Sequence, residues 1–369
     1  MSFIPVYQPD LSGNEMQYVN DCLETNWISS KGKYIEKFEK NFSQYLNVKE
    51  AVSVCNGTVA LHVALLALGI GDGDEVIVPT FTYVASVNSI SYVGARPVFV
   101  DSLENTWQMD CDQIEKNISS KTKAILVVHL YGQPVDMQKI LEVARKNDLK
   151  IIEDCAEAIG SEVNGRKVGT FGDVATFSFF GNKTITTGEG GMVISNNSEV
   201  ARLSRHLKGQ ALVDGREYWH DMVGYNYRMT NICAAIGVAQ LERVEKIIKR
   251  KIMLANQYET LLSSANLPVN MQGGQSNTKN TYWMCSIVTH KKEDRNPLRE
   301  HLKQFGVETR PFFPPAHTLP MYSYEGAYFP IADSLSSRGL NLPSWPAIQD
   351  DQIKYICKTI EAYFRDHAK

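Results

Sequence analysis

Apolar runs and amphipathic stretches alternate along this chain in a way that predicts its architecture. Residues 33–46 carry Ile35, Phe38, Phe42 and Leu46 at spacings that fall on one face of a helix. Residues 14–26, just after Gly13, have a helical pattern too, and the Trp27–Gly32 stretch between them reads as a loop. From Ala51 onward, short β-prone runs alternate with helical stretches. Residues 75–79, 97–101, 124–131 and 149–152 read as strands, and 83–93 and 137–147 as helices. This alternation predicts an α/β fold, a mainly parallel sheet with helices on both faces. The run around Lys183 adds strands of mixed direction.

The pattern changes after residue 233. Residues 233–262 read as one long helix whose apolar face carries Ala234, Ala235, Val238, Leu241, Val244, Ile247 and Ile248. Beyond it come a turn at 273–277, a strand at 282–289, a helix at 296–305, a strand at 307–310 and a last helix at 350–365. The expected division is a large domain over 1–245, including an N-terminal segment near the substrate, and a smaller α+β domain over 246–369. No internal repeat or low-complexity tail is present.

Three segments carry candidate chemistry. The apolar run from Thr176 ends at Lys183, and a Thr/Gly turn follows before a second apolar run from Met192. A lysine at the end of a buried strand is desolvated, which lowers its pKa and makes its amine a nucleophile suited to a Schiff base. A surface lysine in a hairpin turn is the competing reading. The strand at 149–152 delivers Glu153 and Asp154 at its carboxyl end, where open α/β sheets bind ligands. Asp154 there suits a protonated pyridine nitrogen, or it is only a helix cap. Asn56-Gly57-Thr58 opens an Ala/Leu-rich helix. Gly57 permits close backbone approach, and the helix start favours a phosphate; an ordinary capped helix has the same pattern.

Taken in order, these segments resemble the nucleotide-sugar aminotransferases of the fold-type I pyridoxal phosphate (PLP) enzymes. The likeness runs nearly end to end. It includes Gly13-Asn-Glu15, Trp27-Ile-Ser29, Val78-Pro-Thr-Phe-Thr-Tyr83, Glu153-Asp-Cys-Ala-Glu157, Phe177-Ser-Phe-Phe-Gly-Asn-Lys183, Gly224-Tyr-Asn-Tyr-Arg-Met229 and Thr309-Arg-Pro-Phe-Phe313. The resemblance implies that Lys183 binds PLP covalently and that Asp154 holds the ring nitrogen. It implies that Gly57, Thr58 and Ser178 bind the phosphate, and that Tyr83, with Phe81 as its rival, stacks on the ring. Glu157 stands where many relatives have glutamine, near the phenolic oxygen or one layer behind it. Asn226 matches a residue that reaches the phosphate of the neighbouring subunit, which implies a homodimer with shared sites, or a higher oligomer.

On the substrate side, the resemblance implies L-glutamate as amino donor, 2-oxoglutarate as its product, cycling between PLP and its amine form PMP, and a nucleotide-linked keto sugar as acceptor. Candidate sugar contacts are Trp27, Ser29, Lys31, Arg228, Arg310 and His317. The stretches 181–190 and 310–317 most resemble the branch that aminates GDP-4-keto-6-deoxy-D-mannose at C4 to give perosamine for O-antigen and other lipopolysaccharide glycans. A UDP- or dTDP-linked keto sugar is the alternative. A PLP-dependent sugar dehydratase is disfavoured because related dehydratases carry histidine where Lys183 stands. A non-catalytic regulatory homologue is disfavoured by the intact Lys183 and Asp154. A dehydrogenase is disfavoured because Gly69-Ile-Gly-Asp-Gly73 lacks the G-x-G-x-x-G order and precedes a strand.

Composition narrows the classes further. With 369 residues and 43% hydrophobic content, the chain is long and apolar enough for a two-part enzyme core. A net charge of −3 argues against binding nucleic acid through bulk charge. No apolar stretch approaches the roughly 18–20 residues that span a bilayer. The seven cysteines are dispersed without a CxxC pair, and the histidines show no metal spacing. The odd cysteine count and the absence of a leader pattern point to the cytoplasm.

Overall fold

The computed structural model describes residues 3–367. Its main sheet has seven strands in the spatial order Glu50–Val54, Gly191–Ser195, Val174–Ser178, Lys150–Asp154, Thr122–Val128, Glu75–Pro79 and Arg96–Val100. The last five pair in parallel. Gly191–Ser195 runs antiparallel to both of its neighbours. The carboxyl ends at Val54, Ser178 and Asp154 therefore meet the start of Gly191–Ser195 along one sheet edge.

Two apolar clusters fill the two faces of this sheet. One contains Phe38, Phe42, Phe177, Phe179 and Val238. The other contains Leu61, Leu65, Val78, Phe81 and Tyr131. The helix Lys33–Leu46 buries Tyr34, Phe38, Phe42 and Leu46, while Ile35 is only partly covered. A second sheet, in the order Val269–Met271, Cys285–Thr289, Gly339–Leu342 and Arg310–Pro311, packs with the helices Lys292–Gln304 and Asp350–Asp366 around a third cluster.

Several boundaries differ from the sequence expectation. The long helix of 233–262 is two helices, Asn231–Leu241 and Val244–Ser264. Arg243 leaves helical geometry between them, and its guanidinium pairs with Asp10 at 2.8 Å. Asn14 and Tyr18 also donate to Glu242, so the N-terminal segment fastens the corner. The residue 245/246 division falls in the first turn of the second helix. The helix expected at 296–305 begins earlier, at Lys292, and contains Pro297. The strand expected at 307–310 is reduced to Arg310–Pro311, and Val307 bridges to Ile4 instead. The strand expected from 282 starts at Cys285, because Tyr282 takes a left-handed φ of 50°.

Candidate active site

A pocket of about 590 Å³ opens at the sheet edge where the strand ends converge. Lys183, Asp154, Glu157, Gly57, Thr58, Ser178 and Tyr83 all line it. Chain segments far apart in sequence thus contribute to one cavity, as the parallel topology requires.

Asp154 closes the Lys150–Asp154 strand and is buried. Its Oδ2 accepts from Ser86 Oγ at 2.7 Å, and its Oδ1 accepts from the Ala156 amide at 3.0 Å. Burial pushes its carboxyl above the usual range, opposed by these two hydrogen bonds and by the nearby Lys183 charge. A cationic N–H delivered to this carboxylate would favour its ionised form.

Lys183 lies in the turn after the Val174–Ser178 strand, and its amide donates to Phe180 O at 2.9 Å. Its carbonyl accepts from the Tyr7 hydroxyl. Its Nζ is 3.5 Å from Glu157 Oε1 and 3.9 Å from the centre of the Trp283 ring. The second Glu157 oxygen accepts from the Tyr131 amide at 2.8 Å. Burial pushes the Glu157 carboxyl up to about 7, against the pull of Lys183 and of the Tyr131 amide. The side chain of Lys183 is 13% exposed, so a surface lysine is not what the fold presents.

Gly57 is the first residue of the helix Gly57–Ala67, capped by Asn56, whose side chain accepts from the Val59 amide at 3.0 Å. A Cβ at Gly57 would stand 2.7 Å from Ser178 Cβ. Helix start and strand end are therefore in van der Waals contact only because residue 57 has no side chain. The helix N-terminus, the Thr58 hydroxyl and the Ser178 hydroxyl together suit an anion.

Tyr83 precedes the helix Val84–Tyr92 and is half exposed, its ring 5.4 Å from that of Phe313. Its rival Phe81 is buried against Tyr131 and Phe312 and does not line the pocket. Of the two, Tyr83 is the one that lines the pocket and can present its face to a flat ring. A buried acid, an amine and a side-chain-free cradle at a helix start fit pyridoxal phosphate, a group with a ring nitrogen, an aldehyde and a phosphate.

The other expected residues fall in three places. Arg310 is exposed and lines the same pocket. Trp27 and Lys31 line a separate cleft of about 700 Å³ with Asp21, Glu36 and Asn231, while the Ser29 carbonyl accepts from the Asn231 amide. Asn226 and Arg228 are exposed and lie outside this chain's own pocket. His317 differs from expectation. It is buried, its Nδ1 is 2.8 Å from Thr80 Oγ1, its Nε2 is 3.3 Å from Asp333, and it lies outside the pocket.

Sequence reasoning missed Ser86, Tyr131, Trp283 and Asn341. Trp283 and Asn341 line the pocket from the C-terminal sheet region, and Ser86 from a helix on the main sheet. Their chain neighbours carry no motif that marks them. Among the described residues, His129, Glu153 and Cys155 are close enough to suggest a metal. Glu153, however, already accepts from the amides of Gly169, Phe171 and Gly172, so this cluster ties a loop to the sheet. No helix of the described residues is long and apolar enough to cross a membrane.

Comparison with known proteins agrees with this geometry. The chain is 56% identical over 366 residues to GDP-perosamine synthase of Escherichia coli O157:H7, covering 99% of this chain and 100% of the relative. It is 54% identical over 365 residues to GDP-perosamine synthase of Vibrio cholerae, covering 98% and 99%. A Streptococcus pneumoniae chain solved in its PLP form superposes with a TM-score of 0.93 at 27% identity, covering 99% of both chains. The model of the DegT/DnrJ/EryC1/StrS aminotransferase family matches residues 9–361, and the chain belongs to that family.

Proposed function

We propose that this aminotransferase moves the amino group of L-glutamate, by way of pyridoxal phosphate, to C4 of GDP-4-keto-6-deoxy-D-mannose, giving GDP-perosamine for surface glycans such as O-antigen. The observation that carries the chemistry is the meeting of Lys183, Asp154 and the Gly57–Ser178 cradle in one pocket. The choice of sugar is supported by full-length relatives that are GDP-perosamine synthases.

When bound, pyridoxal phosphate supplies an aldehyde that takes up an amine and a cationic ring that accepts an electron pair. Asp154 holds the ring N–H and keeps it protonated, and Ser86 orients that carboxylate. Gly57, Thr58 and Ser178 bind the phosphate, with the helix dipole favouring its charge. Tyr83 packs on the ring face, a contact worth roughly 0.5–1.5 kcal/mol. With the cofactor bound, the Lys183 amine would serve as the base that takes the proton from the donor α-carbon. In the second half-reaction it moves a proton the other way, onto C4 of the sugar. Glu157, 3.5 Å from that amine, helps to hold it in place. Arg310, at the pocket mouth, suits the carboxylate of the donor or the diphosphate of the sugar.

The working unit in this proposal is a homodimer, in which Asn226 and Arg228 of one chain face the pocket of the other, and the Trp27–Lys31 loop lies near the shared substrate. Their exposure and their position outside their own pocket support this reading. The test is a panel of GDP-, UDP- and dTDP-linked keto sugars with glutamate, scored by the mass of the aminated product. Turnover confined to the GDP sugar is expected, and equal or exclusive turnover of a UDP or dTDP sugar refutes the substrate. Loss of all turnover in Lys183→Ala is expected, and its retention refutes the mechanism.

A further inference from the structure

We infer that Trp283 is a positioning residue for the Lys183 amine, holding its ammonium on the face of the indole whenever the amine is free of cofactor. The inference rests on the proposed role of Lys183. The indole is fixed from two sides. Its Nε1–H donates to the Asn182 carbonyl at 2.7 Å, on the residue before the lysine. Its ring stacks on Tyr131, with 6.0 Å between centres and 11° between planes, and the Trp283 amide donates to Tyr131 O at 3.1 Å.

The lysine end is tied as well. The Lys183 carbonyl accepts from Tyr7, and Nζ sits between the Glu157 carboxylate at 3.5 Å and the indole centre at 3.9 Å. The side chain of Lys183 has four rotatable bonds, and a single carboxylate leaves the amine free to swing around it. An aromatic face adds a second, directional attraction, strongest in a desolvated site such as this one, where Trp283 is buried. Together the two partners confine the amine to one region of the pocket. Transamination needs that confinement, because the same amine, once free, must carry a proton as an ammonium between two nearby carbons without drifting away.

The proximity depends on Gly132. Its φ is +100°, and a Cβ there would stand 2.6 Å from the Tyr282 amide nitrogen and 3.0 Å from that of Trp283. Tyr282 itself takes a left-handed φ of 50°, turning the chain so that the indole reaches Asn182.

The test uses Trp283→Phe, which keeps an aromatic face but loses the N–H, and Trp283→Leu, which loses both. In the holoenzyme, single-turnover amine transfer from glutamate should slow about tenfold in the Leu variant at saturating donor. The half-saturating glutamate concentration should stay within about twofold, and Phe should recover much of the rate. A rate in Trp283→Leu equal to wild type, or a loss seen only in half-saturation, overturns the inference. A second readout needs no activity. In cofactor-free protein, Lys183→Met should change the indole emission, and the change should vanish in the Trp283→Phe background. An emission change that persists there, or is absent from the start, overturns the inference. Wild-type behaviour of Trp283→Leu alongside an inactive Lys183→Ala would sink this inference alone, whereas an active Lys183→Ala would sink the proposed function.

Discussion

Glu157 stands between Lys183 and the backbone of Tyr131, with one carboxylate oxygen 3.5 Å from the amine and the other accepting the Tyr131 amide at 2.8 Å. The backbone amide thus fixes the carboxylate that faces the lysine. Burial raises its pKa to about 7 from an ordinary 4.5.

That shift has a signature in stability. Between pH 4.5 and about 7 the folded chain keeps a proton on Glu157 that the unfolded chain has released. Stability therefore falls as pH rises through that window, by no more than about 3 kcal/mol, and the full loss is present above it. Glu157→Gln cannot ionise and lacks this slope. Denaturation midpoints of the cofactor-free proteins, compared from about pH 5 to pH 8, should show wild type losing ground to the variant. Parallel profiles would mean that the Lys183 charge already offsets the burial of Glu157.

Ser86 is the hydroxyl that orients the acid. Ser86→Ala removes the 2.7 Å donor to Asp154 Oδ2 and leaves a buried carboxylate oxygen unpaired. A hydrogen bond to a charged group contributes about 1.5–3 kcal/mol, so PLP affinity should drop by roughly 10- to 100-fold. Equilibrium dialysis with absorbance detection reads this directly. Affinity within twofold of wild type would show that the Ala156 amide alone is enough.

The cradle makes a steric prediction. Gly57→Ala places a methyl group 2.7 Å from Ser178 Cβ, so either the helix start or the strand end must shift. Phosphate retention should fall at least about tenfold, as expected for a site built on close backbone approach. Adding Ser178→Gly makes room for the methyl and should recover part of the loss, although one hydroxyl donor is gone. Because the clash is local, the melting temperature should change far less than PLP affinity. An equally large loss in the double variant would place the defect elsewhere.

Much of this site was legible in the chain because its central groups stand at element ends. Asp154 ends a strand, Gly57 opens a helix, and Lys183 follows an apolar run, so each has a local signal. Ser86 and Trp283 have none. Ser86 reaches Asp154 across 68 residues of sequence, and Trp283 reaches Asn182 across 101. Only the packing of the parallel sheet and the C-terminal region brings them together. The helix break at Glu242–Arg243 was hidden for a different reason. Leu241 and Val244 on either side are both buried, so the apolar periodicity runs straight through a corner held by Asp10, Asn14 and Tyr18. His317 misled because histidine beside arginine and aromatic residues suits a sugar site, whereas Thr80 and Asp333 occupy both of its nitrogens.

The shared-site proposal can be tested without a structure of the dimer. If Asn226 serves the partner's pocket, a site takes Lys183 from one chain and Asn226 from the other. Lys183→Ala chains and Asn226→Asp chains should each be weak alone, the second because a carboxylate beside the phosphate repels it. Unfolding and refolding an equal mixture makes about half of the dimers hybrid. Each hybrid holds one site with both residues intact and one with neither, so activity should return to roughly a quarter of wild type. If Asn226 instead served its own chain, every site in the mixture would carry one defect, and mixing would restore nothing. Separating the hybrids by differently tagged chains and titrating their PLP content reads the same arrangement independently, with one tightly bound cofactor per dimer expected.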